Sequence, residues 1–448
     1  MTNILKNIIF LINSSWIIFS EISMYFIFKD KEAFINNITF KLSKINILYV
    51  KIFQAIALNN NFIDEKSNNY FLKYTDNAPY VTSDIDYKTL FKLIKEYNLK
   101  MENNYSPINS GMISLVFKAT KLDTNETIII KMKRNNIEEK LEEAINKLMF
   151  IVYLLSYVPI IQRYEIPATI TKNIGIVKAQ TDFNQEIKNM RLIKNNCKRL
   201  NYIVIPEVYQ EVTEKYDNII FMDFLNGQKI DQISKEDYYE FAIRLNKFVF
   251  ITLLIHGVTH GDLHSGNVLF IKDTNETNEA INTNKTNNTD NIKIGLIDFG
   301  ILYQTSKKFN EVLFDFCTEI FTKPAEDVAI RILKNGFFEP HDIFDKITIL
   351  EREVLIKLIS NFINTILIDT KNANQKKIYE FLFNLNNFVI ENKLEKYGLR
   401  LSDEFIKLQM FIAMYQGISL KLTNNDYMEV VNKVVNDLYI STISLLEN

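Results

Sequence analysis

Residues 260–269 read His-Gly-Asp-Leu-His-Ser-Gly-Asn-Val-Leu, and residues 296–300 read Leu-Ile-Asp-Phe-Gly. An apolar segment leads into each stretch, as a buried site requires. In the first stretch the carboxylate of Asp262 and the carboxamide of Asn267 stand five residues apart. A carboxylate so placed can accept or orient a hydroxyl proton, and the Asn267 carbonyl oxygen suits a hard cation such as magnesium. Asp298 in the second stretch supplies another hard oxygen ligand. Three of the four histidines, His256, His260 and His264, recur here at i, i+4 and i+8. On one helix they would form a metal site, but Gly257 and Gly261 argue against a regular helix. The Asp262/Asn267 pairing fits His260 and His264 better as residues that brace a loop.

An Asp and an Asn at that spacing, followed by Asp-Phe-Gly, resemble a protein-kinase catalytic loop and its DFG segment. The resemblance assigns Asp298 to bridging metal and phosphate. It also directs attention upstream, where a nucleotide needs a cation and a backbone cradle. Ile128-Ile129-Ile130-Lys131 resembles the VAIK strand, with Lys131 pairing the phosphates. Asn109-Ser110-Gly111-Met112, running on to Val116, occupies the place of the glycine-rich loop, although only Gly111 is glycine. Glu186 is the residue to orient Lys131 by an ion pair. Phe221-Met222-Asp223-Phe224 resembles the hinge whose backbone meets adenine. The plainer alternatives are a surface lysine at a strand end and a solvated glutamate on a helix. On the kinase-like reading Lys131, Glu186 and Asp262 are catalytic, Asn267 and Asp298 hold metal, and Asn109, Ser110, Gly111, Met112, Val116, Lys131, Met222, Asp223 and Phe224 line the nucleotide. The implied cofactors are ATP and Mg2+.

Outward from the motifs, the periodicity changes along the chain. Residues 1–45 open with an apolar run from Ile4 to Phe28, broken only by Lys6 and Glu21. Its uncharged part, Asn7 to Ser20, is short for a spanning helix, and the expectation is a buried or membrane-surface helix. Residues 46–106 carry apolar residues at helical spacing, with a loop at Thr75-Asp76-Asn77-Ala78-Pro79. Ile113 to Thr120 alternates with β-branched residues, Asp123-Thr124-Asn125 makes a turn and Thr127 to Lys133 reads as a second strand, which predicts a hairpin. Helices are expected over Ile137 to Val158 and Phe183 to Lys194, and strands over Tyr202 to Ile205 and Asn218 to Phe224. Residues 273–291 are polar and of low complexity, which predicts a disordered insertion. After Gly300 the pattern is almost wholly helical. The fold class is therefore α+β: two lobes like those of a protein kinase, at 107–227 and 228–448, behind a helical N-terminal extension.

Bulk composition narrows the function classes. The 448 residues carry a net charge of −2, which gives no general basic surface for nucleic acid. The two cysteines, Cys197 and Cys317, form no CxxC pair, so neither a disulfide framework nor a zinc site is expected.

The HGDLHxGN string is shared by aminoglycoside- and choline-kinase-type phosphotransferases and by the UbiB (aarF-domain, ADCK-type) atypical kinases. Three features resemble the latter. The Lys131 to Glu186 separation is 55 residues, far longer than in ordinary protein kinases. Asp182 to Asn189 resembles the family's E-x-D-x-x-x-E-A-x-N segment. Lys51-Ile52-Phe53-Gln54 resembles its KxGQ signature, with Lys51 and Gln54 in the regulatory positions. The departures are Phe53 for the KxGQ glycine, Gln180 for the ExD glutamate, and Gly111 for an alanine. The resemblance implies slow ATPase or phosphotransfer activity at a membrane, linked to isoprenoid lipids of the ubiquinone type. It implies a mitochondrial site if the source is eukaryotic, and lipid or a membrane enzyme complex as partner. A small-molecule phosphotransferase and a non-catalytic ATP-dependent scaffold remain the alternatives.

Overall fold

The computed structural model describes residues 2–50, 78–157, 174–175, 177–272, 291–320, 323–371, 384–385, 388–424, 429–431, 433–434 and 437. The KxGQ-like Lys51 and Gln54, and all but residue 291 of the polar insertion, lie outside them. The chain divides into two compact units, Met1–Asn189 with Pro206–Leu225, and Met190–Ile205 with Asn226–Asn448.

The first unit is built on an antiparallel sheet of β1 (Leu99–Met101), β2 (Asn109–Ser110), β3 (Ser114–Lys121), β4 (Thr127–Lys133) and β6 (Ile219–Asp223), in the order β1-β3-β4-β6 with β2 against β3. β3 and β4 form the expected hairpin, and Asn125 at its turn takes a φ of 61°, a conformation asparagine tolerates. Side chains alternate across a strand, so the register sorts them into two faces. Leu115, Phe117, Ile128, Ile130, Met132, Ile219 and Phe221 form one core with Leu90 and Leu93 of α3 (Tyr87–Glu96). Burying each such side chain contributes about 1.5–3 kcal/mol, which fixes the register. Lys131 therefore falls on the other face, with Ile129, Val116, Ile220 and Met222 as its same-face neighbours.

Ahead of the sheet, α1 (Thr2–Phe28) and α2 (Lys31–Ile45) pair, with Asp30 capping α2 by accepting from the Ala33 N–H at 2.9 Å. α4 (Ile137–Leu155) contributes Leu141, Ala144 and Ile145 to a second cluster with Met112, Ile113 and Leu48.

In the second unit β8 (Val268–Lys272) pairs antiparallel with β9 (Ile292–Leu296), and β5 (Ile203–Val204) lies parallel on β9. That parallel pairing draws residues 190–205 into the second unit. α7 (Tyr238–Phe250) packs beside this sheet. The region after Gly300 is mostly helical among its described residues, as expected, with short strands between the helices. β10 (Leu302–Gln304) pairs with β7 (Val258–His260), and β11 (Phe338–Glu339) pairs with β12 (Arg400–Leu401). Strands of two or three residues are too short to show a period of two, so only their distant partners define them. Among the described residues the other elements of this region are helices, including α8 (Lys307–Glu319), α9 (Ala325–Asn335), α11 (Ile349–Lys371) and α12 (Asp403–Leu422), with the short α10 (Ile343–Lys346) between.

Candidate functional site

In the first unit the Lys131 Nζ lies 2.6 Å from a Glu186 carboxylate oxygen, and both side chains are buried. β4 places Lys131 on the face opposite the main core. Glu186 stands in the first turn of α5 (Phe183–Asn196), where a carboxylate also suits the positive helix terminus. Fifty-five residues separate the partners, so only the tertiary fold brings them together.

The loop assigned to nucleotide is only partly turned outward. Asn109 and Val116 are half-buried and paired across β2 and β3. Ser110 is buried, and its Oγ donates to the Ala78 carbonyl. The Met112 side chain is buried among Ile113, Ile137 and Leu141, which leaves only its main chain to a nucleotide cradle. Gly111 has room for a side chain, since an added Cβ would come no nearer than 3.6 Å to the Ser114 carbonyl oxygen. Met222 is buried beside Ile129, while Asp223 and Phe224 at the end of β6 are half-buried.

In the second unit β7 delivers the chain into the catalytic-loop sequence. His260 is wholly buried, its Nδ1 accepts from the Asp262 N–H at 3.2 Å, and its Nε2 lies 3.1 Å from the Ile297 carbonyl. An accepting Nδ1 makes Nε2 the protonated nitrogen, which donates to Ile297. Burial holds this imidazole below its usual pKa, with the Ile297 carbonyl and the Asp262 and Asp298 charges opposing the shift. His260 thus ties the catalytic loop to the DFG-like segment, and Phe299 packs against its ring at 5.0 Å. His264 Nδ1 accepts from the Gly266 N–H at 3.0 Å.

The Asn267 Nδ2 donates to the Asp262 carbonyl at 2.9 Å, which fixes the amide orientation and presents Oδ1 as the atom for a cation. Asp298 adopts a φ of 61°, a conformation uncommon for residues with a side chain, and its Oδ1 accepts from the Gly300 N–H at 3.3 Å. Strain of this kind gathers at functional sites. Gly261 is required sterically. A Cβ there would meet the Leu302 carbonyl carbon and the Tyr303 nitrogen at 2.8 Å, where β10 closes over the loop. Asn267 and Asp298, the two residues assigned to metal, both offer oxygen, the donor magnesium prefers.

Sequence reading missed Arg134. Its side chain is 4% exposed and bonds the backbone of Gly111, Ala78 and Pro79 as well as the Asp84 carboxylate. Arginine is sparse here, eight of the 52 basic residues, and an arginine standing just after the Lys131 strand was the available signal.

A model of the ABC1 atypical kinase-like domain matches residues 84–331, more than half of the chain. Curated relatives include the probable serine/threonine-protein kinase abkB of Dictyostelium discoideum, 26% identical over 60% of this chain and 39% of that protein. The protein "ACTIVITY OF BC1 COMPLEX KINASE 8, chloroplastic" of Arabidopsis thaliana is 23% identical over 53% of this chain and 30% of its own length. AarF domain-containing protein kinase 1 of Gallus gallus is 23% identical over 51% and 40%. The chain therefore spans less than half the length of each of these relatives. Among solved structures, the Rio2 kinase from Chaetomium thermophilum aligns with 59% of this chain and 74% of its own, at 12% identity and a TM-score of 0.28.

Proposed function

We propose, from the premise that this chain belongs to the ABC1 atypical kinase-like domain family, that it binds Mg-ATP and acts as a slow ATPase or phosphotransferase at a membrane. The buried Lys131–Glu186 pair, 2.6 Å apart, carries the reading. Two charges taken out of water cost several kcal/mol each, and hydrophobic residues of like volume would serve a merely structural role as well. A lysine kept there, with a carboxylate to hold its position, presents a fixed positive charge suited to phosphate.

Each unit contributes part of the chemistry. In the first, Ile129, Val116, Ile220 and Met222 give Lys131 apolar neighbours fit for a flat base. In the second, Asp262 can accept a proton from a hydroxyl or a water, and its main chain is held by Asn267 and His260. Asn267 and Asp298 would hold magnesium, which when bound neutralises phosphate charge.

The membrane part of the proposal rests on α1. Ile4–Phe28 is long and apolar enough to cross a bilayer, with only 17% of it buried. Thirteen of its large apolar side chains are exposed, among them Trp16, Phe19, Phe26 and Phe28. Its one acidic residue, Glu21, is buried against Lys41 of α2 at 2.5 Å, so the carboxylate is neutralised. A surface of this kind seeks lipid. Isoprenoid lipids of the ubiquinone type are the substrate context proposed from the family resemblance, with a membrane enzyme complex as partner.

Thermal shift with Mg-ATP tests the nucleotide reading. Wild-type protein should be stabilised, and Asp298→Asn should lose the magnesium-dependent part, because an amide is a poorer ligand for a hard cation. An unchanged shift in Asp298→Asn would sink the assignment. For the membrane, full-length protein should float with liposomes and a form lacking residues 1–28 should not.

A further inference from the structure

The Arg134 guanidinium has five N–H donors, and five hydrogen bonds meet it. Nε donates to the Gly111 carbonyl at 3.1 Å, and Nη2 donates to the same oxygen at 2.6 Å and to Ala78 at 3.3 Å. Nη1 donates to the Pro79 carbonyl at 2.8 Å and to Asp84 Oδ2 at 3.1 Å. Asp84 is held in turn by Lys140 at 2.6 Å and by the Val81 N–H at 3.1 Å. A second tie runs parallel to the first. The Ala78 N–H donates to the Ser110 carbonyl at 2.7 Å, and the Ser110 hydroxyl donates back to Ala78. The Arg134 N–H itself donates to the Ile113 carbonyl at 2.9 Å. Ser110 directly, and Gly111 through Arg134, are thus fastened to residues 78–84, while Ile113 is tied to the Arg134 backbone, all within the first unit.

One side of this segment is held by β3, with Asn109 opposite Val116, Ser110 opposite Leu115 and the Gly111 N–H donating to the Ser114 carbonyl at 2.9 Å. The other side is held by a planar fork on the Gly111 carbonyl that a lysine could not reproduce. We propose that Arg134 is a positioning residue for nucleotide phosphate: it holds the 109–111 backbone against residues 78–84, so that phosphate affinity follows the placement of that segment. The proposal rests on the nucleotide reading above and adds the element that controls it. Arg134 reaches phosphate only through the loop.

The test compares full-length wild type with Arg134→Lys for Mg-ATP, Mg-ADP and adenosine, measured by competition against a fluorescent nucleotide. Lysine keeps the charge but offers three donors on a flexible stem. The expected result is a tenfold or greater rise in Kd for Mg-ATP, a smaller rise for Mg-ADP, and adenosine within twofold of wild type. Hydrogen exchange of the 110–114 amides should quicken in the same variant. Equal losses for all three ligands would mean a general structural defect and overturn the proposal, as would an unchanged Kd for Mg-ATP. Should Arg134→Lys not fold, Asp84→Asn weakens the charge that steadies the fork. It should then show the same ordering at smaller size, and a flat ordering overturns the proposal. Wild-type protein that binds no nucleotide would remove the nucleotide reading and this inference together, whereas binding by wild type with no change in either variant removes the inference alone.

Discussion

Replacing Glu186 by glutamine leaves the Lys131 ammonium in place, 6% exposed, without the carboxylate 2.6 Å from it. Removing one partner of a buried pair costs about 3–5 kcal/mol, because the other charge stays desolvated. At ~2–4 °C per kcal/mol for a unit of this size class, melting should fall by roughly 6–20 °C. Lys131→Met should cost a similar amount by stranding Glu186. The double variant Lys131→Met/Glu186→Leu should regain most of the lost stability, since replacing both charges by apolar groups is often neutral. Nucleotide binding should stay lost in all three proteins. Calorimetric melts give the first quantity and titration with Mg-ATP the second. Single variants that melt like wild type would show that the pair is not desolvated in solution. A double variant that recovers both stability and Mg-ATP affinity would refute the assignment of Lys131 to phosphate.

Gly261→Ala should destabilise by about 1–3 kcal/mol through forced overpacking against β10, read as a lowered denaturation midpoint. Gly111→Ala should be tolerated, gaining about 0.4–1 kcal/mol from a stiffer unfolded chain, because its Cβ has space and its φ is not left-handed. Replacing residues 273–291 by Asn-Gly should leave melting and Mg-ATP binding near wild type, because Lys272 and Ile292 already pair across β8 and β9. A shortened form that fails to fold would assign the insertion a structural role. For pH, burial lowers the His260 pKa in the folded protein, so below the unfolded value near ~6.5 the unfolded chain binds the extra proton. Its contribution to stability is full above that value and falls as pH drops through it. Melting should decline from pH 7.5 to 5.5, and His260→Gln should flatten part of that slope.

How much of this was legible beforehand depends on whether the signal was local. The Asp262 to Asn267 spacing and the Asp-Phe-Gly run are contiguous strings, so their chemistry could be read directly. The β3–β4 hairpin was equally plain, since an alternating run and a β-branched run flank a turn whose residues tolerate φ > 0. The face taken by Lys131 was not legible, since it follows three isoleucines in a row and only the pairing register with β3 and β6 sorts it from Ile128, Ile130 and Met132. The surroundings of the Met112 side chain were not legible, because it packs against Ile137 and Leu141 on α4, distant in sequence. β7 and β10 were invisible because three residues have no period.

What the sequence by itself determined was the set of reactive groups and the order in which the chain delivers them, because residue type and short spacing carry that chemistry. Only the tertiary structure decided which of them meet. The 55-residue gap from Lys131 to Glu186 closes to 2.6 Å. The eight scattered arginines yield one, Arg134, whose five donors are spent on carbonyls and a carboxylate from four different residues. Such bonds join positions 23 to 56 residues apart. No local propensity encodes them: they form because burial of the surrounding core brings polar groups together out of water, where each must find a partner.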